Sequence, residues 1–83
     1  MSNPRWVVKS VMPLENFRLL LTFEYGEKKI FDFKPYLKYP LNAPLRNENV
    51  FRKVFVRAGS IAWRDMLDFA PECLYEDGEP CDA

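Results

Sequence analysis

The sequence predicts a small α+β domain: an antiparallel sheet of two hairpins plus an N-terminal strand, with short helices between and after them. Three observations carry this. The run "RLLLTFEYGEKKIFDF", residues 18–33, sets two β-rich segments on either side of Gly26. A second such run, "VFVRAGSIAW" at 54–63, has turn residues at its centre. Asn47 and Pro71 stand where short helices begin.

The chain has 83 residues, enough for one domain, which by size scaling buries roughly 60 to 65% of its unfolded surface. With 48% hydrophobic and 16% aromatic residues it lies far from the disordered class. Residues 6–12, "WVVKSVM", read as a first strand, joined through "PLENF" to the first hairpin as a meander. In that hairpin a three-residue loop, Glu24-Tyr25-Gly26, with Gly26 as the left-handed residue, sets Leu19 opposite Phe31 and Leu21 opposite Lys29. This register keeps Leu19, Leu21, Phe23, Phe31 and Phe33 on one face, whereas a two-residue loop would turn both phenylalanines away from it. The other face pairs Arg18 with Asp32 and Leu20 with Ile30. Those two apolar residues form a partly exposed patch or are covered by another element.

Downstream, "KPYLKYPLNAPL" carries three of the seven prolines, which excludes a central strand and suggests a turn of helix at 36–38 followed by loop. Asn47 reads as the N-cap of a short helix at 48–53, with Glu48 near its positive end and Phe51 facing inward. The second hairpin turns at 58–60. Pro71 fits the first turn of a helix, where its missing N–H costs nothing, with Leu74 and Tyr75 packing back. From residue 76 onward the chain is expected to be disordered, giving a single domain at 1–76 and an acidic tail at 77–83.

The formal net charge is zero, yet its distribution is uneven. Residues 1–64 hold all twelve Lys and Arg and five acids, hence +7; residues 65–83 hold seven acids and no base, hence −7. Such an end either keeps a small protein soluble or competes with an acidic ligand for the basic body. Zero net charge and the lack of a recognised motif disfavour nucleic acid as a partner.

Histidine is absent, and the two cysteines, Cys73 and Cys81, have no metal-ligand spacing, so neither a zinc site nor a His-based triad can be built in one chain. No cofactor is expected. Cys73 reads as a small buried hydrophobe and Cys81 as a thiol in a frayed tail, which suits a reducing cytoplasm. The N-terminal "MSNPRWVVKSVMP" is too short and polar for a signal segment or a membrane span, so a cytoplasmic protein with no membrane association is expected.

Three stretches, "LLLTFEYGEKKIFDFKPYL", "LRNENVFRKVFV" and "IAWRDMLDFAPECLY", together resemble the bacterial family known as domain of unknown function twenty-four forty-two. The resemblance covers residues 6–76 and rests on a Phe-Asp pair, a Leu and Phe around a short helix, then Trp, Asp, Pro and Leu-Tyr in order. On this chain that signature is Asp32, Phe51, Trp63, Asp68, Pro71, Leu74 and Tyr75. After Trp63 the chain has Arg64-Asp65-Met66-Leu67, where the family pattern has a small or glycine-bearing turn. The resemblance implies a compact α+β domain, often standing alone and encoded beside another tiny protein in arrangements that look like toxin and antitoxin pairs.

Taken singly, Trp63 reads as core, needing one acceptor for its indole N–H, and Asp68 as a local cap for the backbone around Pro71 and Cys73. Asp65 and Asp68, three apart, are a weak signal for a shared metal. Lys28-Lys29 and Arg52-Lys53 read as solvated faces. Tyr36 and Tyr39, beside Pro35 and Pro40, either form an exposed aromatic surface or pack under the loop. The residues therefore predict a non-enzymatic protein-interaction domain, and the resemblance adds an antitoxin-like role with a small protein encoded nearby as partner. Its contact surface would be a strand edge or the patch at Leu20 and Ile30, with Tyr36 and Tyr39 as further candidates. Self-association into a homo-oligomer is compatible with the same patch. The alternative is a weak nucleic-acid or acidic-ligand binder using the basic body. For an enzyme, neither a nucleophile with its base nor a metal cluster can be named.

Overall fold

The central hairpin forms in the expected register. Strand β2 (Arg18–Phe23) pairs antiparallel with β3 (Lys28–Asp32), with Leu19 opposite Phe31, Leu20 opposite Ile30 and Leu21 opposite Lys29. Its loop is Glu24-Tyr25-Gly26: the Gly26 N–H donates to Phe23 O at 3.0 Å, the Phe23 N–H to Glu27 O at 2.8 Å, and Gly26 has φ 86°. Glycine meets no steric penalty there. This computed structural model describes residues 4–63 and 71–80.

Strand β1 (Val8–Leu14) lies beside β2, running two residues later than the expected 6–12. Pro13 is tolerated because β1 is an outer strand of its sheet, where its missing N–H breaks no ladder. A register shift between Val8 and Ser10 leaves Lys9 as an extra residue, so Val8, Val11 and Pro13 all share the face of Phe23, Leu21 and Leu19. Between β1 and β2 a tight turn, Glu15–Phe17, puts both Asn16 (φ 61°) and Phe17 (φ 57°) in the left-handed region. Asn tolerates this; Phe does not unless packing imposes it. Here the Phe33 N–H donates to Phe17 O at 2.9 Å, and the Phe17 ring meets Phe51 edge-on at 5.2 Å.

After β3 the chain turns through two 3-10 segments, Lys34–Tyr36 and Pro40–Arg46, in place of the expected single turn at 36–38. Asp32 starts this turn: its Oδ1 accepts from the Lys34 N–H at 3.0 Å. Helix α1 (Glu48–Phe51) has Asn47 as its cap, the side chain accepting from the Asn49 N–H at 2.9 Å, and ends earlier than the expected 48–53. The second hairpin joins β4 (Phe55–Arg57) to β5 (Ser60–Ala62) through two residues, Ala58 (φ 53°) and Gly59 (φ 78°), so Ser60 belongs to the strand and not to the turn. The α+β class holds, but the two hairpins form separate sheets. One has the order β1-β2-β3-β6, where β6 is Glu79–Pro80, and the other is β4-β5 alone.

The C-terminal segment departs most from expectation. Helix α2 (Pro71–Asp77) does begin at Pro71, and the chain then adds a short strand, β6 (Glu79–Pro80), beside β3. Glu76 through Pro80 are thus folded elements and not part of a disordered tail; residues 81–83 lie outside the described residues. Leu74 and Gly78 are buried on the side of α2 that meets the sheet. Helical spacing turns Cys73 outward, so it is exposed, contrary to its reading as a buried hydrophobe. The core fills the space between the inner sheet face (Leu19, Leu21, Phe23, Phe31) and Leu45, Phe51, Ile61, Trp63 and Leu74.

Candidate functional site

One face of the four-stranded sheet makes this core. The other carries a row of apolar side chains, Met12, Leu20 and Ile30, which are direct register neighbours across β1, β2 and β3. On one side of it lies the row Leu14, Arg18, Asp32; on the other, Ser10, Thr22, Lys28. Met12 is exposed, Leu20 and Ile30 are half-buried, and among the described residues none of the three belongs to the buried core or packs against it. Leu20 and Ile30, expected as a partly exposed patch or covered by another element, are half-buried neighbours on this face. Met12 is the third member of the row, which sequence reasoning missed although it lay inside the expected first strand.

The sheet edges are guarded. The N-terminal end of β1 is covered by the second hairpin, the Val8 N–H donating to Gly59 O at 2.9 Å, and its other end carries Pro13. On the far side β6 is two residues long and ends at Pro80. Short strands and edge prolines blunt strand addition.

Beside Ile30 the face dips into a half-open groove of about 700 Å³. Its lining includes Arg18, Asp32, Lys34, Tyr36, Asp77 and Glu79, charges of both signs. Tyr36 is only half-exposed: it stacks on Phe31 at 5.5 Å and donates its hydroxyl to Asp77 Oδ2 at 3.1 Å. Its pKa is raised, first by burial and then by that bond to Asp77. Packing under the loop thus accounts for Tyr36, whereas Tyr39 remains exposed and does not line the groove. The four candidate surface residues are not one cluster. Leu20 and Ile30 adjoin, Tyr36 and Ile30 line the same groove, and Tyr39 has its ring centre 6.3 Å from that of Tyr36.

The signature residues are structural where they are described. The Trp63 indole donates to Phe51 O at 2.8 Å and its ring lies against Phe33 and Phe51, at 5.3 and 5.8 Å. Leu74 is buried, and Tyr75 packs edge-on against Phe23 at 5.0 Å, its hydroxyl donating to Glu27 Oε1 at 2.7 Å. That bond raises the Tyr75 pKa, with burial second. Asp65 and Asp68 lie outside the described residues. Lys29, read as part of a solvated face, is buried: its ammonium donates to Tyr75 O at 2.5 Å and sits 3.7 Å above the Tyr75 ring. A cation near the C-terminal carbonyls of a helix is favourably placed, so Lys29 ties α2 to the sheet. Lys28, Arg52 and Lys53 are exposed as expected.

Among the described residues no cluster of three or more His, Cys, Asp or Glu side chains is placed to hold a metal ion. Among the same residues no helix is long and apolar enough to cross a membrane.

The class defined by this geometry is a small α+β domain with one sheet face in the core and an apolar row on the other. A family model spans residues 8–80, nearly the whole chain, and the chain belongs to that family, described as Protein of unknown function (DUF2442). Comparisons with curated proteins and with solved structures give no significant match.

Proposed function

We propose that this chain works by binding another protein across the outer face of its four-stranded sheet, as the antitoxin-like member of a two-protein pair whose second member is a small neighbour. The observation that carries the reading is the row Met12, Leu20, Ile30, apolar across three adjacent strands while the core occupies only the opposite face. A fully buried side chain of this size contributes about 1.5–3 kcal/mol, and Met12, the most exposed of the three, has most to gain. The rows on either side carry both signs of charge, which would orient a partner.

Coexpression with the product of the adjacent reading frame, followed by size-exclusion chromatography, tests this. Co-elution is expected, and replacing Met12, Leu20 and Ile30 together with Thr should abolish it while the melting transition is retained, since Thr suits a strand. Separate elution of the wild-type pair would overturn the reading, as would undiminished binding by the Thr variant.

A further inference from the structure

We propose that, until its partner arrives, the outer face is closed by a second copy of the same chain in a weak twofold dimer, so that self-association and partner binding compete. This rests on the reading of that face as the docking surface. Because Met12, Leu20 and Ile30 are register neighbours, they lie on one line perpendicular to the strands. A twofold axis along that line sets each on its own counterpart, as a self-complementary interface requires. The same rotation reverses strand direction and carries the row on one side of the line onto the row on the other.

The charges then match. On β3, Asp32 falls over Lys28 of the partner subunit, twice by symmetry. On β2, Arg18 falls over Thr22 of the partner subunit, and on β1, Leu14 over Ser10 of the partner subunit. Asp32 accepts from the Lys34 N–H and already pairs with the Lys34 ammonium at 3.4 Å, both side chains half-exposed, so Lys28 of the partner subunit would share this carboxylate; Lys28 is exposed with no ion pair among the described residues. The other twofold in the sheet plane, along β2, would put Arg18 on Arg18 of the partner subunit at the centre of the contact, where like charges are desolvated. The first arrangement has one like-charge meeting: Glu79, register neighbour of Ile30 on the short outer strand β6, faces Glu79 of the partner subunit at the exposed rim. Rim charges are solvated and weigh little.

The contact is small. Three strands about 4.8 Å apart, with about 13 Å between the flanking rows, make a footprint well under the roughly 800 Å² per partner of a standard interface. A concentration-dependent dimer that a better partner displaces follows from that size.

Sedimentation velocity from micromolar to millimolar protein tests the inference. The wild type should pass from monomer towards dimer. Lys28→Asp, which sets two pairs of carboxylates face to face, should weaken association about tenfold or more. Adding Asp32→Lys to it should restore association, and Glu79→Gln should raise it slightly. Asp32→Lys also removes the acceptor for the Lys34 N–H and the ion pair with its ammonium; if that variant fails to fold, Lys28→Asp still decides. A wild type that stays monomeric throughout, or a Lys28→Asp variant that associates like wild type, overturns the inference. A monomeric wild type that still captures the neighbouring protein would sink the dimer and leave the docking reading standing. Dimerisation without capture would do the reverse.

Discussion

Adding one methyl group at Gly78 asks whether the acidic end is built into the domain. Gly78 is buried between the last turn of α2 and β3, and a Cβ there would lie 2.9 Å from Leu74 O and 3.1 Å from Lys29 Cβ. Neither neighbour yields easily. The Leu74 carbonyl already accepts from the Gly78 N–H at 3.1 Å and its side chain is buried, while Lys29 is pinned through its ammonium to Tyr75 O. The end of α2 must therefore lift from the sheet. Overpacking of this kind costs about 1–3 kcal/mol, and the lower unfolded-state entropy of Ala returns about 0.4–1 kcal/mol, leaving a net loss of about 1–2 kcal/mol for Gly78→Ala. In a domain of this size that lowers the melting temperature by about 5–15 °C. Circular dichroism melts with urea titrations measure it, and proteolysis should cut residues 71–80 faster in the variant. Gly26→Ala is the control: Gly26 has φ +86° and no atom within 4 Å of an added Cβ, so alanine there meets only the strain of a left-handed backbone, about 1–2 kcal/mol, without exposing the C-terminal segment. A Gly78→Ala protein melting at or above wild type would refute the packing of α2 and β6 on β3.

Ala58 holds a left-handed conformation (φ 53°) before Gly59, so Ala58→Asn, which makes the preferred Asn-Gly turn, should stabilise by about 0.5–1 kcal/mol, read as a higher urea midpoint. Trp63→Phe removes the indole donor to Phe51 O and part of the ring volume, and should lower stability by about 1–3 kcal/mol in the same titration. Tyr36 and Tyr75 both ionise above the ordinary tyrosine value of 10.0, Tyr36 mainly through burial and Tyr75 mainly through its bond to Glu27. A folded-state pKa raised above the unfolded one contributes stability below the unfolded value and loses it as pH climbs through the folded value. The urea midpoint should therefore fall on the alkaline side of pH 10.0, and the double variant Tyr36→Phe, Tyr75→Phe should flatten that fall.

The central hairpin was legible because two local facts agree: Gly26 fixes a three-residue loop, and only that loop keeps Phe31 and Phe33 with Leu19 and Leu21. The same parity put Lys29 opposite Leu21, on the core face, so its burial was written in the register while its residue type argued for solvent. Its acceptor, Tyr75 O, lies 46 residues away, and no local pattern announces it. The C-terminal segment was illegible for a related reason. Counted as composition, Glu76 to Pro80 is acidic and poor in strand formers, yet it is held by Leu74 in the core, Gly78 against Lys29 and the Tyr75 hydroxyl on Glu27. Each anchor is a contact to β3 or to the loop before it, so the pairing of Glu79 with Ile30 follows from docking the helix and not from strand propensity.

That docking bears on where a partner can bind. With β6 and Pro80 beside one stretch of β3, and the second hairpin and Pro13 along β1, strand addition at the edges is obstructed on both sides. With the inner face filled by aromatic side chains, Lys29 enters it only by spending its charge on the end of α2. The outer row is under neither constraint. Among the described residues, Met12, Leu20 and Ile30 are not in the buried core or among the side chains packed against it. Three apolar residues in register on the face away from the core are the observation on which the proposed docking surface rests.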